Sequence, residues 1–338
     1  MTLTVAELSE SALLARIFPR LKGSESVLLG PGDDAAVLAA PDGRMVVSID
    51  TQVQDKDFRL QWPNGYRTTG YDVGFKAAAQ NLSDINAMGA VPTSLVVSLT
   101  LPGTTEVAWV EGLAEGLVAA IEELGATDCS VAGGDLSAGA EIVVTVAVMG
   151  SLEGRAPVLR SGARVGDVLA LAGSAGVAAA GWALLEGPTP SSKFTPAMAD
   201  AARDFCHPRP PLAAGPAAAL AGATAMMDVS DGLLRDAARI AAASGVRVDL
   251  DPAALGAFVD KMAPIAAVVG ANPWAWVLSG GEDHGLLATF ADVAQLPAGF
   301  TAIGSIMPGD GSLPSVTVAG GDASGFGVGT AGWDHFAV

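Results

Sequence analysis

The chain has 338 residues, of which 50% are hydrophobic and 16% charged, so it can form a large core and is expected to have two domains. Acidic residues outnumber basic ones by 36 to 18, and the net charge of -18 argues against nucleic acid and anionic membranes as partners. The two cysteines, Cys129 and Cys206, lie far apart in sequence and form no CxxC pattern, so neither a disulfide framework nor a thiolate zinc site is indicated. We therefore expect a soluble, cytoplasmic protein.

Hydrophobic spacing predicts a first domain over residues 1–152. The first 18 residues have the pattern of an amphipathic helix and lack the basic segment of a signal peptide. Three segments read as strands, namely MVVSIDT, SLVVSLTL and EIVVTVAVMG. Two segments have helical spacing and end at glycine, namely YDVGFKAAAQNLSDINAMGA and TEVAWVEGLAEGLVAAIEELGA.

The pattern restarts after a loop rich in glycine and arginine, which predicts a boundary near Leu152 and a second domain over residues 153–338. A strand in DVLALAG precedes a helix of small residues from Ser174, and residues 223–251 read as strand, tight turn, helix and strand. Apolar runs such as APIAAVVGA are too short to cross a bilayer. The mixture of strands and helices predicts an α/β protein.

Acidic residues stand at the ends of several predicted elements: Asp33, Asp34, Asp50, Asp84, Asp135, Asp228 and Asp231. Each alone suits a turn or a helix cap. Asp50 and Asp228 close apolar strands, where open α/β sheets place ligands, and Asp84 lies beside the apolar face of a helix and so needs a partner. Carboxylates from separate elements suit Mg²⁺, whose remaining ligands are commonly water and phosphate. The pattern therefore predicts a nucleotide site.

The sequence has no GxxxxGK[ST] motif, so it is not a P-loop protein. Two glycine segments are candidates for phosphate contact, LAGSAGVAAAG at the start of a helix and AGGDLS beside Asp135. The first also suits a close-packed turn between strand and helix. Arg160 could pair with a phosphate, although such an arginine is more typical of a surface ion pair, and Ser230 suits either phosphate contact or a helix cap.

Eight motifs follow one another along the chain: GPGDDAAV, SIDTQVQDKDF, GFKAAAQNLSDINAMGAVP, GGDLS, RSGARVGD, MDVSDGLLRD, SGGEDHGL and GWDHF. In this order they resemble the thiamine-monophosphate kinase family, in a superfamily with aminoimidazole ribonucleotide synthetase and selenophosphate synthetase. Any one motif is weak, but the ordered set is specific and spans essentially the whole chain.

The resemblance implies ATP-dependent phosphorylation of thiamine monophosphate to thiamine diphosphate, with several Mg²⁺ ions and neither a covalent nucleophile nor a general base. It also implies a two-domain fold like that of aminoimidazole ribonucleotide synthetase. The β-rich N-terminal domain would bind metal and ATP and pair with its copy in a homodimer. The C-terminal α/β domain would complete the nucleotide and substrate cleft.

Carried over motif by motif, the resemblance implies metal contacts at Asp34, Ser48, Ile49 (through its main chain), Asp50, Asp84, Asp135, Asp228 and Asp231. It implies nucleotide contacts at Gly134, Asp135, Arg160 and Ser230, and contacts with the thiamine portion at Asp57, Glu282 and Trp333. This chain has Asp57 where the family commonly has His, and it has His284 where Tyr is usual. We expect His284 to be a packed or surface residue and not a base.

Two alternatives stay open. The first is another ATP-dependent enzyme of the superfamily, of the purine-synthesis or selenophosphate type. Selenophosphate synthetases usually carry a reactive Cys or selenocysteine near the N-terminus, whereas the first cysteine here is Cys129. The second alternative is a non-catalytic maturation factor that binds Mg-nucleotide.

Overall fold

The computed structural model describes residues 3–30, 36–309 and 315–329 and divides the chain into two compact units. The first unit contains Met1–Ile85 and Ala90–Gly154, and the second contains Asn86–Gly89 and Arg155–Val338. Both combine helices with a sheet, so the predicted two-domain fold of helices and strands is confirmed. Three residues singled out in the sequence, Asp33, Asp34 and Trp333, lie outside the described residues.

The regular elements up to the end of the first unit are α1 (Glu10–Ile17), β1 (Val27–Leu29), β2 (Val37–Leu38), β3 (Val46–Val53), α2 (Gly70–Ala87), β4 (Val91–Leu101), α3 (Val107–Glu123), β5 (Ser130–Ala138) and β6 (Val143–Ser151). The three strands and two helices predicted here are confirmed to within a few residues. Strands β1 and β2 form a separate antiparallel pair.

The four-stranded sheet of the first unit has the order β3-β6-β4-β5, in which the β4/β5 pair is parallel and the other two pairs are antiparallel. One face is buried, since Val146 and Val148 of β6 have no exposed surface. The register puts Asp50 opposite Val146 and Ser48 opposite Val148, so both polar residues point toward the buried face. Ile49, between them, is 63% exposed and belongs to the other face, which we call the open face.

Helices α2 and α3 cross with their backbones in contact. A Cβ atom at Gly74 of α2 would stand 2.1 Å from the carbonyl oxygen of Leu113, and one at Gly116 of α3 would stand 2.1 Å from that of Tyr71. Such an approach requires residues without a side chain. The crossing fixes the position of α2, the helix that carries Asp84.

The second unit continues with β7 (Val168–Ala172), α4 (Val177–Glu186), α5 (Pro196–Cys206), α6 (Ala214–Leu220), β8 (Ala225–Val229), α7 (Leu233–Ser244), β9 (Val246–Leu250), α8 (Pro252–Val269), α9 (Pro273–Ser279), β10 (Gly285–Phe290), β11 (Phe300–Pro308) and β12 (Val316–Val318). Its sheet has the order β12-β9-β11-β7-β10-β8, and the β12/β9 pair is its parallel pair. Leu169 and Leu171 of β7 pack into one apolar cluster and Ala170 and Ala172 into another. The sheet is therefore covered on both faces.

The N-terminal segment differs from the single amphipathic helix predicted over the first 18 residues. It forms a short 3-10 turn, Val5–Glu7, and then the two-turn helix α1. Thr4 and Glu7 form a capping box, and the Ser9 side chain accepts a hydrogen bond from the backbone of Ala12. Two local caps thus start two separate turns, because each supplies its own partner for free backbone N–H groups.

Helix α8 is longer than the apolar run noted in the sequence. By length and composition alone it could cross a membrane, with a mean hydropathy of 1.4 over 18 residues. Its residues Leu255, Val259 and Met262 are buried in the apolar clusters of the second unit. Only 28% of this 18-residue window is buried, so core packing accounts for part of its apolar character.

Candidate functional site

The first group of predicted ligands lies where β3 packs against α2, and we call it the β3–α2 seam (Ser48, Asp50, Asn81 and Asp84). Ser48 donates from Oγ to Oδ2 of Asp84 over 2.5 Å, and the backbone N–H of Asp50 donates to Oδ1 of Asn81 over 3.2 Å. Asn81 is 1% exposed and donates to the carbonyl of Ala77, so its orientation is set. The partner expected for Asp84 includes the Ser48 hydroxyl, and the seam brings three predicted metal ligands together.

Asp50 does not close its strand as the sequence pattern suggested. Strand β3 continues to Val53, so Asp50 lies inside an antiparallel edge strand and not at the carboxyl end of a parallel one. The rule that places ligands beyond strand ends does not explain its position. Asp50 instead lies on the buried face opposite α2, where Asn81 and Asp84 contact β3.

Hydrogen bonds between β3 and α2 continue past the seam to the turn that contains Asp57. Gln52 donates to Gln80 over 2.8 Å, and Lys76, only 2% exposed, donates from Nζ to the main-chain oxygen of Asp57 over 3.1 Å. Oδ2 of Asp57 accepts from the backbone N–H of Val53 over 2.7 Å. The Asp57 carboxylate thus stabilises the turn after β3, and its contact with substrate stays a prediction.

Two predicted ligands, Ile49 and Asp135, lie on the open face, away from the seam. The register pairs Asp135 with Ser98 and Ser98 with Thr145, in a row across that face. The Ser137 hydroxyl donates to Oδ2 of Asp135 over 2.9 Å. Because neighbouring residues of a strand point to opposite faces, the sheet itself separates Asp135 from the seam carboxylates.

A largely apolar cavity of about 870 Å³ opens beside Gly134 and Asp135 in the first unit. Its walls include side chains from α1, α3, β4 and β5. Gly30 and Ala36, which flank residues 31–35, line it as well. A largely apolar pocket with Asp135 among its lining residues suits a ligand that has an apolar part and a charged part.

In the second unit, two tight loops meet, one after β8 (residues 230–232) and one before β10 (residues 280–284). The backbone N–H of Glu282 donates to the carbonyl of Ser230 over 2.8 Å. Glu282 and His284 have φ values of +67° and +53°, a left-handed conformation that costs a non-glycine residue about 1 kcal/mol. The loops bring together Ser230, Asp231 and Glu282, which are predicted nucleotide, metal and thiamine contacts.

Asp228, the fourth residue of β8, is buried beside His284. The two side chains are 6% and 8% exposed, and Nδ1 of His284 lies 3.4 Å from Oδ2 of Asp228. His284 is therefore packed, which is one of the two positions expected for it.

Asp231 is held by a pair of residues on α7 that sequence analysis did not single out. Arg239 donates from Nη2 to Oδ2 of Asp231 over 2.5 Å and from Nη1 to Oδ1 of Asp236 over 2.6 Å. Oδ2 of Asp236 accepts the backbone N–H of Asp231 over 2.9 Å. The detectable sequence signal was the Asp-x-x-Arg spacing, which puts both side chains on one helix face.

Burial governs the charge of this pair. Asp236 has no exposed surface, and burial raises its pKa to about 6, helped by the charges of Asp228 and Asp231 and opposed by the Asp231 N–H and by Arg239. The pKa of Arg239 is raised, because its bonds to the two carboxylates outweigh the effect of burial. The guanidinium is the cation that compensates a buried carboxylate.

The glycine segment considered as a phosphate site is already occupied by a side chain. Asp283, 4% exposed, accepts the backbone N–H groups of Gly176, Val177 and Ala178 over 2.6, 2.9 and 3.2 Å at the start of α4. The helix N-terminus therefore binds an internal carboxylate and not an external phosphate. Of the two interpretations of LAGSAGVAAAG, the close-packed turn applies.

Arg160 lies at the opposite end of β8 from Ser230. Its neighbour Leu159 accepts the backbone N–H of Met226 near the start of the strand, and its own carbonyl accepts from Ser244 over 3.1 Å. The strand separates this loop from Ser230, so the second unit does not bring the two predicted nucleotide contacts together. The contact of Arg160 with a nucleotide stays a prediction.

The donor chemistry of the seam fits a hard divalent cation, since two carboxylates and a hydroxyl offer only oxygen. Over residues 3–30, 36–309 and 315–329, no group of three or more His, Cys, Asp or Glu side chains is close enough to hold a metal ion. Asp34, a further predicted ligand, lies outside this part of the chain. A metal site at the seam therefore stays a prediction.

Comparison with known proteins agrees with the domain pattern. The family model "AIR synthase related protein, N-terminal domain" matches residues 32–152, and the corresponding C-terminal domain model matches residues 164–294. The thiamine-monophosphate kinase of Mycobacterium tuberculosis (strain ATCC 25618 / H37Rv) is 46% identical over 333 residues, covering 98% of this chain and 93% of that protein.

Solved structures extend the likeness to the fold. Thiamine monophosphate kinase from Aquifex aeolicus matches with a TM-score of 0.72 and 29% identity over 86% of this chain and 91% of that chain. The complex described as "AaThiL complexed with AMPPCP and TMP" matches with a TM-score of 0.75 and 28% identity over 99% of this chain and 100% of that chain. Sequence and fold together show that the chain belongs to the thiamine-monophosphate kinase family of the AIR synthase related proteins.

Proposed function

We propose that the protein transfers the terminal phosphate of ATP to thiamine monophosphate and so forms thiamine diphosphate. The observation that carries the proposal is the 46% identity, over 98% of the chain, to a thiamine-monophosphate kinase. The solved complex with AMPPCP and TMP supports the choice of both substrates. The phosphate that attacks is already ionised near neutral pH, so the reaction needs positioning and charge compensation and no general base.

The cavity of the first unit is the proposed place for the apolar part of ATP. Its walls are largely apolar, as a purine base requires, and Gly134 presents bare backbone beside it. Asp135 lines the same cavity, and Asp34 belongs to the segment flanked by two other lining residues. We propose that these two carboxylates serve the metal that accompanies the phosphates.

Magnesium is the proposed metal. Several Mg²⁺ ions are proposed, and the remaining candidate ligands are grouped by unit. They are Ser48, Asp50, Asp84 and the main chain of Ile49 in the first unit and, separately, Asp228 and Asp231 in the second. When bound, Mg²⁺ would neutralise the charge that develops between ATP and the acceptor phosphate. The chain prepares these residues by hydrogen bonds: Ser48 to Asp84 in the seam, and Arg239 to Asp231 on α7.

The thiamine portion is proposed to contact Glu282 and Trp333, together with Asp57. The carboxylate of Glu282 has the opposite charge to the cationic thiazolium. The left-handed backbone of Glu282 is held by the carbonyl of Ser230, which fixes the position from which its side chain extends. Ser230 and Arg160 are the proposed contacts for ATP phosphates in the second unit. None of these residues forms a covalent intermediate in this scheme.

The protein is proposed to act as a homodimer in the cytoplasm. The open face of the first sheet exposes Val47 by 61% and Ile49 by 63%, which supports pairing of two β-rich domains. Sedimentation equilibrium tests this directly: a dimer mass is expected, and a monomer at micromolar concentration contradicts it.

One assay tests the function. Purified protein with Mg-ATP and thiamine monophosphate is expected to yield thiamine diphosphate, and no product is expected with aminoimidazole precursors or selenide. Asp50→Asn should abolish turnover, whereas the control Asp292→Asn, at an exposed cap of a 3-10 turn, should leave it unchanged. Product from another acceptor would contradict the proposal, and nucleotide binding without turnover would favour a maturation factor.

A further inference from the structure

Asp231 in the second unit is held at two points, one on its main chain and one on its carboxylate, by residues that follow it on α7. Its backbone N–H is bound by Oδ2 of Asp236, and its Oδ2 is bound by Arg239. Arg239 also bonds the other oxygen of Asp236, so the three residues form a closed ring of contacts that includes the main chain of Asp231. Arg235, four residues before Arg239, lies farther away, with Nε 4.0 Å from Oδ2 of Asp231.

We infer that Asp236 and Arg239 are a positioning pair that sets the direction in which Asp231 presents its carboxylate. The inference rests on the proposed function, in which Asp231 is a metal ligand. Neither residue is a catalytic residue in this scheme, because each acts through Asp231.

The contacts of the pair support a positioning role. Arg239 bonds both carboxylates, so one guanidinium ties Asp231 to the buried Asp236. Asp236 has no exposed surface, which holds its end of the pair rigidly in the core. The side chain of Arg239 is 34% exposed, so its charged end sits where the core meets the loop.

The geometry also requires arginine in particular. Two separate Nη groups bond two different carboxylates, over 2.5 and 2.6 Å. The planar guanidinium presents those donors at fixed angles, whereas the ammonium group of lysine is a single point charge. Lysine should therefore restore only part of the alignment.

The chain offers a matched control in Asp200 and Arg203 of α5. These residues have the same types and the same i,i+3 spacing, and Nη2 of Arg203 lies 2.7 Å from Oδ1 of Asp200. Their side chains are 58% and 54% exposed, and they belong to no proposed site. Any effect common to both pairs therefore reports helix stability alone.

The test is the charge-matched double variant Asp236→Asn with Arg239→Met, compared with Asp200→Asn with Arg203→Met. Each removes one positive and one negative charge, so the net charge is preserved. The first measurement is the Mg²⁺ concentration that gives half of the maximal rise in melting temperature, with AMPPCP present. The second is kcat and KM for thiamine monophosphate. The single variant Arg239→Lys serves as the conservative rescue.

The Asp236/Arg239 variant should need roughly 10- to 100-fold more Mg²⁺ and lose kcat by a similar factor, with KM for thiamine monophosphate little changed. Arg239→Lys should fall between this variant and the parent. A folded variant with parental Mg²⁺ dependence and kcat would overturn the inference, as would equal losses in the control. If the parent lacks kinase activity but the Mg²⁺ midpoint still shifts, the positioning role stands and the proposed function fails. If the melting temperature of the parent ignores Mg²⁺ and AMPPCP, both fail.

Discussion

Replacing Asp283 by Asn tests which of two opposing effects dominates at the start of α4. The carboxylate is 4% exposed, which disfavours its charge, yet it accepts three backbone N–H groups, which favour it. Asn keeps the size of the side chain and one acceptor oxygen but cannot ionise. The variant therefore removes the titration at this position with a small change in shape.

The expected magnitude follows from the pKa of Asp283. Burial raises the pKa from 3.8 to about 6, against the lowering effect of the three N–H donors and of His284. A carboxyl with a higher pKa in the folded protein stabilises the fold when protonated, and this contribution is lost as the pH rises through the folded pKa. Between about pH 4 and pH 7 the loss is about 2 kcal/mol. The stability of the parent relative to Asp283→Asn should fall by that amount.

Urea unfolding of both proteins at several pH values measures the difference in free energy. Asp251→Asn is the control, because Asp251 is an exposed N-cap of α8 that accepts one N–H over 2.9 Å, and Asn caps a helix about as well as Asp. It should change the free energy of unfolding at pH 7 by less than about 0.5 kcal/mol. If the parent instead gains stability over Asp283→Asn as the pH rises, the helix N-terminus outweighs burial and the reasoning is wrong. A difference independent of pH refutes it as well.

Three further predictions concern single positions. Gly134→Ala should lower the free energy of unfolding in urea by about 3 kcal/mol, because its Cβ would stand 2.1 Å from the Val97 carbonyl oxygen. The control Gly133→Ala has open space for its Cβ and should lower it far less, so equal losses contradict the prediction. Glu282→Gly should raise the free energy of unfolding by about 1 kcal/mol through relief of its left-handed φ and raise KM for thiamine monophosphate, and an unchanged KM argues against the predicted contact. Glu111→Gln should lower the free energy of unfolding by about 1 kcal/mol, because Glu111 pairs with two arginines near the N-terminus, and 1 M salt should remove most of that difference.

Sequence reasoning succeeded where a local rule sufficed. The cost of burying a charge predicted a partner for Asp84, and the structure provides the Ser48 hydroxyl. It failed for the first 18 residues, because separate caps at Thr4 and Ser9 divided one apolar pattern into two turns. It also misplaced Asp50, because the end of the apolar run was taken as the end of β3.

The candidate site shows the same limit. Asp236 and Arg239 stand three residues apart, but a surface pair such as Asp200 and Arg203 has identical spacing. Spacing along a helix tells which side chains are neighbours and not whether that face is buried. Only the packing of α7 distinguishes the pair that holds Asp231 from the pair on the surface.

By itself the sequence determined the main strands and helices of the first unit, the two-domain fold and the family, because periodicity, glycine stops and ordered motifs are properties of the linear chain. The tertiary structure decided that Asp50 and Asp135 lie on opposite faces of one sheet, and that an internal carboxylate binds the N-terminus of α4. Strand register and helix packing set those outcomes. Both depend on contacts between residues far apart in the chain, which no local pattern encodes.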